Sequence, residues 1–106
     1  MTRTVAKFDE IIHPTTRLSI VSMLAAVDWA DFAFVRDHLE LSDSALSKQL
    51  TTLEDAGYVS LQRTVSGGRR RVRIQLTTSG RTALQGHAAA LRGLLDSADH
   101  EPQLGR

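Results

Sequence analysis

Ser44, Ser47, Lys48 and Thr51 recur at i, i+3, i+4 and i+7, a spacing that gathers side chains on one face of a helix. Three short hydroxyls and one lysine do not make a catalytic pocket, but they suit close approach to another polymer. Their hydroxyls can bond phosphates or base edges, and small side chains let a helix enter a groove about 12 Å wide. Gln49 flanks Lys48 and adds a second long-reaching polar group. A stripe of this kind also fits an ordinary solvated helix face.

A second set of residues follows closely. Arg63, Arg69, Arg70, Arg71 and Arg73 lie around a Gly67-Gly68 pair, and no Asp or Glu occurs from Ala56 to Leu95. Nine of the twelve acidic residues precede Ala56, so a net charge of only +1 conceals a local positive field. Arginines clustered without an acid repel one another and favour a polyanion. Arg69 and Arg70, just past the glycine tip, can reach a minor groove or its phosphates. Arg71 and Arg73 fall on the face opposite Val72 and Ile74.

The elements that position these groups are legible from periodicity. Val5, Phe8 and Ile12 have helical spacing, which predicts a short first helix ending at His13-Pro14. Pro14 opens a second helix running to about Ala26, with Leu18, Val21, Met23, Leu24 and Val27 as its apolar stripe. Residues 28–31 read as a turn, followed by a short extended piece and a two-turn helix ending near Leu39. Ser42 is an N-cap and Asp43 suits the positive helix end. Leu46, Leu50 and Leu53 mark the inward face of that helix, and Gly57 ends it. Val59 and Leu61, then Val72, Ile74 and Leu76, alternate with polar residues, the period-two pattern of a half-buried hairpin. Thr77 caps a last helix whose Leu84, Ala88, Leu91, Leu95 and Ala98 form an apolar seam.

The segments LSDSALSKQLTTLEDAGYV and LTTSGRTAL, with IIHPTTRLSIVSMLAAV before them, resemble the winged-helix transcription regulators of the MarR and ArsR type. The resemblance covers about residues 8–94. It implies a mainly α fold with a small β-hairpin, a winged helix-turn-helix with a C-terminal dimerisation helix. It also implies a homodimeric repressor on a near-palindromic DNA operator. In that frame Ser44, Ser47, Lys48, Gln49 and Thr51 of the 42–56 helix enter the major groove. Arg63, Arg69, Arg70, Arg71 and Arg73 form the wing. The dimer would use Val5, Phe8, Ile12, Leu84, His87, Ala88, Leu91 and Leu95. An independent argument favours self-association: Leu84, His87, Ala88, Leu91, Leu94 and Leu95 are apolar over more than one narrow face, leaving surface for a partner chain.

Composition bounds the remaining classes. A chain of 106 residues suits one domain, here expected over 1–99 with a disordered tail at 100–106. With no cysteine there is no disulfide or thiolate metal site. His13, His38, His87 and His100 lack metal-ligand spacing, so no metal or other cofactor is expected. Trp29, Phe32 and Phe34 are assigned to the core in preference to an effector pocket, leaving an unidentified small molecule as an open partner. No enzyme motif is present, no membrane-spanning run is found, and the cytoplasm is the default location. The competing reading is a winged helix that displays its basic hairpin to an acidic protein partner.

Overall fold

The computed structural model describes residues 4–99. It contains α1 (Thr15–Ala25), β1 (Ala30–Asp31), α2 (Phe32–His38), α3 (Asp43–Asp55), β2 (Val59–Ser66), β3 (Arg69–Leu76) and α4 (Thr78–Asp99). The expectation for a tail at 100–106 falls outside the described residues.

Four helices and one small antiparallel sheet enclose a single core. Ile20, Val21 and Leu24 of α1, Val35 of α2, and Leu46, Leu50 and Leu53 of α3 pack with Val59, Ile74 and Leu76 of the sheet. Burying a leucine of this kind is worth about 1.5 to 3 kcal/mol, which fixes α3 against the sheet by its leucine face and turns the opposite face outward. The sheet order is β1-β3-β2. Residues Val59 to Ser66 pair in unbroken register with Leu76 to Arg69, so the hairpin has the expected alternation and turns at Gly67-Gly68.

Both helices of the helix-turn-helix end in the same way. At the end of α3, Gly57 takes φ +82, its N–H donates to Glu54 O and the Tyr58 N–H donates to Leu53 O, the paired bonds of a Schellman cap. At the end of α2, the Glu40 N–H donates to Asp37 O and the Leu41 N–H to Arg36 O, but here Glu40 holds the left-handed φ of 56. Ser42 then starts α3, its Oγ accepting from the Ala45 N–H at 3.1 Å. Thr77 Oγ likewise accepts from the Gly80 N–H at 3.0 Å to open α4 and donates to Gly57 O at 2.6 Å.

Two local expectations are corrected. Residues 5–12 are not helical: they form an irregular arm that turns at Glu10–Ile12. The helical spacing of Val5, Phe8 and Ile12 has another cause. The arm lies along α4, with the Lys7 N–H donating to Gly86 O at 2.9 Å, and long-range bonding overrides local propensity. The extended piece before the second helix is Ala30–Asp31, within the segment read as a turn, and α2 begins at Phe32. Ala30 and Asp31 pair with Ile74 and Arg73, which ties the start of the helix-turn-helix to the base of the hairpin.

Candidate nucleic-acid interface

On α3 the inward leucines leave Ser44, Ser47, Lys48 and Thr51 exposed along one stripe. Their hydroxyls make only local bonds. Thr51 Oγ1 donates to Ser47 O at 3.0 Å, and Ser44 Oγ lies 3.3 Å from Ser42 Oγ. Each hydroxyl keeps acceptor capacity, and nothing among the described residues covers the Lys48 ammonium. Gln49 departs from its expected role. It is half-buried, and its Oε1 accepts from Arg17 Nη1 at 2.8 Å, while Arg17 Nε donates to Ile11 O at 2.6 Å. Gln49 therefore fastens α3 to the rest of the domain on the side of the helix away from the exposed stripe.

Arg36 is a second fastening point that the sequence did not signal. It donates to Asp37 and Asp43, both at 2.8 Å, and so bridges α2 to the first turn of α3. Those bonds raise the Arg36 pKa further above its ordinary range, the one to Asp37 most strongly. In return Arg36 holds the Asp37 carboxyl below its usual value. All three groups are solvent-accessible, so the bridge guides geometry more than it stabilises.

The pleat of the hairpin sorts its arginines, because alternate residues face opposite sides of a sheet. Arg63, in register with Val72, lies on the α3 side. There it joins Ser47, Thr51 and Glu54 around a groove of about 360 Å³ between α3 and the hairpin. Arg71 and Arg73 lie on the far side. Arg71 Nη1 is 3.9 Å from Asp31 Oδ2, and the Arg73 guanidinium carbon stands 3.9 Å over the Trp29 ring. The absence of a compensating acid in the sequence around the hairpin is thus only an absence along the chain, since Asp31 arrives through the β1–β3 pairing. Arg69 and Arg70 are exposed and have no ion-pair partner among the described residues. With Arg36, Arg71, Asp31 and Asp43 they line a second cleft, of about 450 Å³, between the hairpin and α2.

The aromatics expected in the core divide. Phe32 packs against it, but Trp29 is 43 % exposed and Phe34, stacked on His38, is 60 % exposed. Trp29 follows the turn after α1 and Phe34 lies on the outer face of α2, and no further layer among the described residues covers either.

At the other end of the domain the arm docks on α4. His87 is fully buried, its Nδ1 accepting from the Asp9 N–H at 3.0 Å and its Nε2 lying 3.2 Å from His13 Nδ1. The Asp9 carboxylate accepts from the Ile11 and Ile12 N–H groups and, at 2.5 Å, from the Tyr58 hydroxyl. That bond to Asp9, helped by burial, pushes the Tyr58 pKa up to about 12. A Cβ on Gly86 would lie 2.8 Å from Val5 O, so only glycine lets the arm approach this closely. Ile12 and His87, expected on a subunit surface, are instead enclosed by the chain's own residues. Val5, Phe8, Leu94 and Leu95 stand exposed, Leu95 at 63 %. Leu84 rests on the core, and Ala88 and Leu91 are half-buried. No helix among the described residues is long and apolar enough to cross a membrane.

A helix-turn-helix followed by a β-hairpin wing, with β1 of the same sheet just before it, defines the winged-helix class. The family model for a winged helix DNA-binding domain matches residues 16–95, and the chain belongs to that family. It is 28% identical over 78 residues to an uncharacterized protein of Methanocaldococcus jannaschii, covering 74% of this chain and 85% of the relative. Its fold matches that of a transcriptional regulator homologue from Pyrococcus horikoshii with a TM-score of 0.81 at 23% identity, over 86% of this chain and 90% of that one. The ZitR protein of Lactococcus lactis, a zinc-responsive MarR family member solved in complex with DNA, matches with a TM-score of 0.62 at 20% identity, over 93% of this chain and 67% of that one.

Proposed function

We propose that the chain is a sequence-specific transcriptional regulator, acting as a homodimeric repressor on a pseudo-palindromic DNA operator. The observation that carries this reading is the groove that brings Ser47 and Thr51 of α3 beside Arg63 of the hairpin, with Lys48 on the same exposed stripe. In this reading α3 enters the major groove through Ser44, Ser47, Lys48 and Thr51. Arg63, Arg69 and Arg70 engage the backbone or the minor groove. The fold likeness to a DNA-bound ZitR supports the docking mode.

The dimer would use the exposed apolar groups of the arm and α4, chiefly Val5, Phe8, Leu94 and Leu95, with the half-buried Leu84, Ala88 and Leu91 behind them. Two-fold symmetry would set the two reader helices about 34 Å apart, one turn of duplex, and so demands an inverted repeat. Selection of bound sequences from a random duplex library tests this. Enrichment of an inverted repeat is expected. Binding without any enriched motif would remove sequence specificity, and no binding at low salt would favour an acidic protein partner.

A further inference from the structure

Trp29 is the only tryptophan of the chain, and it stands partly exposed at the entrance to β1 with the Arg73 guanidinium 3.9 Å above its ring. Arg73 does not behave as a free phosphate ligand. Its Nε is buried with no hydrogen-bond partner, so the fork is held by stacking. Beside it, Asp31 is in register with Arg73 and leans toward Arg71 at 3.9 Å, with its other carboxylate oxygen buried and unpartnered. The strand β1 is two residues long, and its pairs Ala30↔Ile74 and Asp31↔Arg73 are its whole register with the hairpin. The long β2–β3 ladder makes the hairpin one rigid unit, its base packs on the helices through Val59, Ile74 and Leu76, and the β1 pairs with the Trp29 stack brace the part just beyond that base.

We propose that Trp29 is a positioning residue for the wing. By stacking under Arg73 it holds the hairpin base against β1 and aims Arg69 and Arg70 at the DNA backbone. The proposal rests on the DNA-binding reading and deepens it. Leverage gives the stack its effect. Arg69 lies four residues beyond Arg73, about 13 Å along the strand, so a tilt of about 15° at the base moves the tip by roughly 3 Å. That displacement exceeds the tolerance of a charge-assisted hydrogen bond. The wing arginines therefore divide into two sets: Arg63, Arg69 and Arg70 touch the nucleic acid, whereas Arg73 is held by Trp29 and Arg71 is drawn toward Asp31.

The test compares the wild type with Trp29→Ala, Trp29→Phe, Arg73→Gln and the Trp29→Ala/Arg73→Gln double variant, in duplex binding from 50 to 200 mM salt and at a temperature where all are folded. Each phosphate contact contributes about 0.9 to the slope of log K against log salt. Trp29→Ala should flatten the slope by about two units per protomer although it removes no charge. Trp29→Phe should restore most of it, Arg73→Gln should match Trp29→Ala, and the double variant should add nothing. An unchanged slope in Trp29→Ala together with a loss of about one unit in Arg73→Gln would make Arg73 a direct phosphate ligand and overturn the proposal. The emission of Trp29 in the DNA-free protein gives a separate readout: Arg73→Gln should alter it, and identical spectra would show that no stack exists. A wild type with no salt slope would defeat the DNA-binding reading itself, whatever the emission shows.

Discussion

The two ends of the molecule treat their polar groups in opposite ways. At the α3 and hairpin-tip end, Ser44, Ser47, Lys48, Thr51, Arg69 and Arg70 are exposed and make few bonds beyond their own turn. At the arm and α4 end, His87 and Asp9 sit in a network in which bonds cross 78 residues of sequence and the buried imidazole has a partner at both nitrogens. The first end keeps its hydrogen-bonding capacity for another molecule. The second spends it on holding the chain together, and its outward face carries Val5, Phe8, Leu94 and Leu95 exposed among charged and polar neighbours. A division of this kind suits a protein that meets nucleic acid with one end and its own copy with the other.

The largest effect is expected at the arm and α4 end. Leu95→Glu places a charge in the exposed seam of α4 and should give monomers in sedimentation. Duplex affinity should then fall about 10² to 10⁴-fold, as expected when the second half-site ceases to be an intramolecular event. An intact dimer would place the interface elsewhere. Next in size is the interior of the same end. His87→Ala removes a fully buried ring and leaves the Asp9 N–H without its acceptor, which should destabilise the fold by about 3 kcal/mol in thermal or denaturant unfolding.

Lys48→Ala sharpens the contrast at the polar end. It should leave stability within about 0.5 kcal/mol and yet cost about 1 to 3 kcal/mol of discrimination between duplexes if the ammonium reads a base. Competition binding with single-base variants of the selected site measures this, and an unaltered ranking would reduce Lys48 to a backbone contact. The smallest effect concerns Tyr58, whose hydroxyl bond to Asp9 raises its pKa to about 12 from an ordinary value of 10.0. The neutral phenol is favoured in the folded state, so this stabilisation is complete below pH 10.0 and is lost as pH climbs toward about 12. Tyr58→Phe should weaken the fold at neutral pH and remove that alkaline loss, as seen in unfolding curves from pH 9 to 12.

Legibility in the sequence follows the same division. The exposed α3 stripe, the leucines behind it, the Ser42 and Thr77 caps, the Gly57 stop and the hairpin alternation all depend on residues within a turn or two of one another, and each is found where its spacing predicts. Failures occur where a distant segment intervenes. Val5, Phe8 and Ile12 mimic a helical period because the arm lies on α4, and Ile12 and His87 disappear into the interior that this docking creates. Gln49 is claimed by Arg17 from a separate helix and Arg73 by the Trp29 ring, while Arg71 stays exposed beside Asp31. One signal was available for the last of these: Trp29 and Asp31 alternate around Ala30 just before a predicted helix, the period of an extended piece. No comparable signal marks the Arg17–Gln49 or Asp9–His87 bonds.

If the polar end binds duplex DNA through phosphate contacts, as proposed, that binding must weaken steeply as salt rises. Fluorescence anisotropy of a labelled duplex should show affinity falling about 10³-fold or more between 50 and 200 mM salt, the behaviour of a protein that makes six or more phosphate contacts. Binding that scarcely changes over that range, or no binding at 50 mM, would mean that this end does not hold DNA by its phosphates.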